Sequence, residues 1–184
     1  GLGTSLVNDQ GINQSENANT AMISAHVRHE RKNWNFMWLG AYGGTQDTDY
    51  LFDYTRKNGP LGAQVLGSSV VGTYLEVSYD ILPALGFKKN KEDAKDNFLF
   101  KRKEFKVPLF ARIEYLNTHA SVHPLLQEEF RAQSDLTALT VGFNVNTRRN
   151  MVFKTNYQFR WNSVPMTTGE FEGNRFEVGL GFIF

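Results

Sequence analysis

The chain has no cysteine in its 184 residues, which excludes disulfide staples, thiolate metal sites and thiol nucleophiles. It lacks any apolar run of about 18 residues or more, and its mean hydropathy is −0.41, so no transmembrane helix is expected. A low mean does not argue against a membrane strand, in which only alternate residues face lipid. Charge of one sign is also missing. Twenty Lys and Arg oppose 19 Asp and Glu, a net charge of +1, which gives no case for nucleic acid or another polyanion as partner. The chain opens at Gly1 without Met or a charged-then-apolar leader, as expected of a mature exported protein or an internal segment.

Aromatic residues are plentiful: 15 Phe, 7 Tyr and 3 Trp, or 14% of the chain. Many fall in segments that alternate with period two. Phe176, Val178, Leu180, Phe182 and Phe184 alternate with Arg175, Glu177, Gly179, Gly181 and Ile183. Phe153, Thr155, Tyr157, Phe159 and Trp161 alternate with Lys154, Asn156, Gln158, Arg160 and Asn162, and residues 139–146 behave likewise. Further strands are expected over 109–116, 71–80, 34–43 and 21–30, with a weak remnant at 2–7.

The connections form a second pattern. Lys32-Asn33 and residues 147–150 read as tight polar turns, whereas 45–69, 117–135 and 162–174 read as long loops. The exception is a lysine-rich insert at 83–106, which includes Lys88, Lys89, Lys91, Lys101, Arg102 and Lys103 where a short turn is expected; it reads as a solvated excursion. Alternation alone would also suit a soluble sandwich or a lipocalin-like barrel. Three features favour a membrane barrel. Aromatics cluster toward strand ends; the strands run to about 9–11 residues, enough to cross tilted; and the alternation continues to a terminal aromatic, awkward for an exposed edge. The expected fold over 1–184 is all-β, a transmembrane antiparallel up-and-down β-barrel or its C-terminal segment.

The last eleven residues resemble the C-terminal strand of Gram-negative outer-membrane proteins. That resemblance implies recognition of Phe176, Val178, Leu180, Phe182 and Phe184 by the barrel-assembly machinery, and a location in the bacterial outer membrane. Residues 74–83 (YLEVSYDILP), 107–115 (VPLFARIEY) and 139–157 are similar to porin-like proteins related to the phosphate-selective porins O and P. The resemblance covers 71–184 and implies the C-terminal half of a barrel of about 16 strands, with upstream strands preceding Gly1. It allows a homo-oligomer and says little about solute.

If the apolar face meets lipid, the lumen is lined by Glu76, Asp80, Arg112, Glu114, Lys154, Arg160, Arg175 and Glu177, joined on an earlier strand by His26, Arg28 and Glu30. The mixed signs suit a water-filled passage for small hydrophilic solutes, and equally suit Arg–Glu pairs that fill the lumen. Anion selectivity has no support, because the lysine cluster lies on a connection. Glycines 72, 142, 179 and 181 read as relief for bending and crowding. His119 and His123 have a ligand spacing only on a helix, and Pro124 follows, so no metal site is expected. Ser24 and His26 share a face but have no placeable acidic partner, so the chain is not expected to be an enzyme, and no cofactor is implied. The expected function is passive diffusion of small hydrophilic solutes across the outer membrane. The alternatives are a filled eight-stranded adhesion barrel and an outer-membrane hydrolase using Ser24 and His26.

Overall fold

The computed structural model describes residues 2–7, 13–58, 65–87, 101–126, 135–162 and 173–182. Eight strands follow in chain order: β1 (Leu2–Val7), β2 (Asn13–Arg31), β3 (Trp34–Thr45), β4 (Gly67–Asp80), β5 (Pro108–Val122), β6 (Asp135–Arg148), β7 (Met151–Trp161) and β8 (Arg175–Phe182). Each pairs antiparallel with the next, giving one meander in which β1 and β8 are the edges of an unclosed sheet. A helix, α1 (Thr48–Asn58), stands between β3 and β4, and a 3-10 turn, Pro124–Leu126, follows β5.

The sheet curls. One cavity is lined by Arg28 and Glu30 of β2 and also by Glu177 of β8, whereas flat strands about 4.8 Å apart would leave β2 and β8 roughly 29 Å from one another. The pairing is also staggered. Trp34, Tyr79, Leu109 and Phe143 are successive partners, yet β3 begins at Trp34 while β6 runs on to Arg148. A curled sheet whose strand ends step along in this way has the tilt of barrel-like architectures.

The short links hold as expected. β2 and β3 join through Lys32-Asn33, with Lys32 at a φ of 55°, the sense of backbone rotation a two-residue hairpin requires. β6 and β7 join through Arg149-Asn150, with a register irregularity between Asn146 and Arg148. Several strands outrun the expected length: β5 has 15 residues and continues through 117–122, where the sequence pattern predicts loop. Apolar alternation fades there, but the ladder goes on because Ser69 Oγ and Ser121 Oγ are 2.7 Å apart across the strands and Gly67 pairs with Val122.

The 45–69 connection holds α1, which the sequence reading missed. The Asp47 carbonyl accepts the Leu51 amide at 3.1 Å, Asp49 lies in the first turn, Arg56 and Lys57 lie in the last, and Leu51 and Phe52 are buried. The insert also differs from a free excursion. The Lys101 amide donates to Thr147 O, and Lys106 and Asn146 exchange backbone hydrogen bonds at 3.0 and 2.9 Å. The Phe87 and Phe105 rings meet at 5.5 Å with Arg102 stacked over Phe87. Its stem is therefore folded onto the β6–β7 turn; residues 88–100 lie outside the described residues.

Burial is inverted relative to a soluble sheet. On the central strands Ile113, Leu75 and Phe143 are 51, 48 and 42% exposed, while Glu76 is 8% exposed. Phe153, Tyr157 and Leu180 are also exposed. Buried apolar side chains among the described residues are few and scattered: Leu51, Phe52, Leu82, Leu126, Ala138 and Met151.

Candidate functional site: a polar trough

The enclosed face forms an open trough of about 790 Å³. Period-two geometry builds it. On β5, Arg112 and Glu114 turn inward while Ile113 and Tyr115 turn out; the same parity repeats from β3 to β7, and Glu177 carries it to β8, where both faces are exposed. One rung of the ladder, Arg28–Met37–Glu76–Arg112–Thr140–Gln158–Arg175, runs from β2 to β8 as successive Cα partners.

At its centre Arg112 donates through Nε and Nη2 to Glu76 Oε2, at 2.8 and 2.6 Å. Its Nη1 lies 3.7 Å from Glu114 Oε1, and the guanidinium sits 5.0 Å from the Tyr74 ring centroid. Glu114 Oε2 also accepts from Thr140 Oγ1 and Gln158 Nε2, each at 3.3 Å, and Gln158 Nε2 reaches Thr140 Oγ1 at 3.1 Å. Four strands are thus joined by charge-assisted bonds, which give the buried Glu76 a guanidinium partner. Nearer β2, Arg28 pairs with Glu30 and donates to Asn35 Oδ1 at 3.2 Å.

Six of the eight residues expected to face the lumen line the trough: Glu76, Asp80, Arg112, Glu114, Lys154 and Glu177. Asp80 serves partly as a turn anchor, its Oδ1 accepting the Leu82 and Val107 amides at 3.4 and 3.0 Å. Arg175 shares the rung, lies 3.9 Å from Glu177 and falls outside the cavity lining. Arg160, opposite Ala138, also falls outside it. Both keep the parity of the enclosed face, and both lie beyond the lining of this trough.

Neutral and turn residues were missed. Asn35, Ser78, Asn144, Asn156 and Gln158 line the trough, as do Lys32 and Lys106 from the turns. Alternation had already put the amides on the polar face; weighing charge alone passed over them. The basic and acidic lining side chains balance in number, with Arg28, Lys32, Lys106, Arg112 and Lys154 set against Glu30, Glu76, Asp80, Glu114 and Glu177.

The histidines have other work. His119 Nε2 donates to Val65 O at 3.0 Å, which leaves Nδ1 to accept from Thr118 Oγ1 at 3.0 Å, so the ring ties down the loop before β4. Ser24 and His26 are exposed on β2, opposite Ala41 and Leu39. Of the expected terminal-strand signal, Phe176, Val178, Leu180 and Phe182 share the exposed face of β8, and Phe184 lies outside the described residues. Comparison with protein-family models, curated proteins and solved structures returned no match.

Proposed function

We propose that this chain is a porin-like outer-membrane β-barrel, or a segment of one, that passes small hydrophilic solutes by passive diffusion. The observation that carries the reading is the inversion: ionised and amide side chains are enclosed, and large apolar ones are exposed on the opposite face. In water such an arrangement forfeits the burial that stabilises a soluble sheet. In a bilayer it is the favourable one, because hydrocarbon meets hydrocarbon and the polar groups keep water. Strand edges left unpaired in lipid are costly, so this reading requires the β1 and β8 edges to be paired in the membrane, as they are in a closed barrel.

Passage needs no covalent step. Balanced charges and amides replace part of a solute's hydration without a deep electrostatic well, so solutes enter and leave. The exposed row on β8, with Phe184, is the segment offered to the assembly machinery. The Arg112–Glu76–Glu114 network favours a second reading, a filled non-conducting barrel, since cross-strand pairs of this kind pack small barrels. Planar-bilayer recording of the full-length protein separates the two. Stepwise conductance is expected, and a current indistinguishable from lipid alone overturns the channel.

A further inference from the structure

We infer that Arg31 on the outward face, with Lys32 at the adjacent turn where that face meets the mouth of the trough, binds the phosphate of an anionic phospholipid, an inference that rests on the outer-membrane reading above. The starting point is a break in the β2 pattern. Arg28 and Glu30 point to the enclosed face and pair with one another. Parity sends Arg31 the other way, onto the face that carries Ile23 and Val27. Among the described residues neither Arg31 nor Lys32 has an ion-pair partner, and both are exposed.

Their neighbours are aromatic. Arg31 is the Cα partner of Trp34, and Trp34 is the partner of Tyr79. The Trp34 ring lies 4.8 Å from that of Tyr79 and 6.0 Å from that of Phe36. Trp34 and Phe36 are exposed, and the rings run without a break into the apolar outward face at Val27, Trp38 and Leu75. Rings of this kind settle at the boundary between hydrocarbon and headgroups, which puts the Lys32-Asn33 chain reversal at the level of the phosphates. A guanidinium offers a phosphate two parallel donors, and an adjacent ammonium adds charge. The same end of the sheet carries exposed Lys103, Lys106 and Arg149, so its wider field also favours anionic lipid. Continuity with the apolar face favours a lipid over an acidic protein, which would have to displace lipid from the rings.

The test uses Trp34 as reporter, in a chain carrying Trp38→Phe and Trp161→Phe. The full chain is folded into phosphatidylcholine vesicles containing either brominated phosphatidylglycerol or brominated phosphatidylcholine at equal mole fraction. The inference expects Trp34 to be quenched preferentially by the glycerol lipid, by about fivefold local enrichment for each basic residue. Arg31→Gln with Lys32→Gln abolishes the preference, and Arg31→Lys with Lys32→Arg, a second fold-neutral variant, keeps most of it. Equal quenching by both lipids overturns the inference and leaves the membrane reading standing. Quenching by neither overturns both.

Discussion

The two faces of β5 differ by one residue of register and by everything else. Arg112 and Glu114 are half-buried and bonded to β4, β6 and β7, whereas Ile113 and Tyr115 lie exposed with Leu75 and Val141 beside them. In a soluble sheet the aliphatic row would be the covered one. The difference teaches that the apolar face of this sheet is the uncovered one, so under the membrane reading proposed above identical substitutions on the two faces should have opposite consequences.

The sharpest way to break that comparison is to exchange charge between the faces. Ile113→Lys should cost about 2–4 kcal/mol of stability in a bilayer, read as a fall in the urea midpoint of vesicle-folded protein, while Gln158→Lys across the trough should be tolerated. Equal effects would mean that the exposed face meets water. Removing the central cation comes next. Arg112→Ala leaves the Glu76 carboxylate enclosed and unpaired; the arginine is 34% exposed, so we expect about 2–3 kcal/mol rather than the full penalty of a buried pair. The double change to Glu76→Gln and Arg112→Gln should recover much of that loss in the same titration.

A smaller effect separates two glycines on the enclosed face. A methyl group at Gly142 would lie 2.4 Å from Thr155 O on β7, whereas one at Gly179 would meet nothing within 4 Å. Gly142→Ala should therefore cost about 1–3 kcal/mol and Gly179→Ala almost nothing, by denaturant midpoint. The crowding expected of the enclosed-face glycines is real at the first and absent at the second.

The smallest effect concerns the clasped insert. The Arg149 amide donates to Glu104 at 3.0 Å and, with Lys101, holds that carboxyl below its ordinary range. A lowered folded-state value means the contact is at full strength above the ordinary carboxylate range and is lost as pH falls through the lowered one. The protection of the Arg149 amide against hydrogen exchange, taken relative to the intrinsic rate at each pH, should fall on acidification, and Glu104→Gln should remove that change in protection.

Parity was legible in the sequence because it needs no tertiary information. Once Ile113, Phe153 and Val178 are recognised as alternating with charge, successive side chains must take opposite faces. The two tight links were legible for the same local reason. Depth along the strand was not: Arg175 and Arg160 differ from Glu177 only in how far the pairing register carries them from the cavity, and register is a relation between strands. Nor was α1 legible, since its apolar residues Leu51 and Phe52 gain burial only from the fold around them.

By itself, then, the order of residues determined which side chains share a face, because a pleated backbone alternates whatever surrounds it. Only the tertiary structure decided that the sheet curls so that the polar face is the enclosed one, that Glu76, Arg112, Glu114, Thr140 and Gln158 meet in one network, and that the insert stem docks on the β6–β7 turn. Those outcomes depend on curvature and stagger accumulated over many strands, and no single segment encodes them.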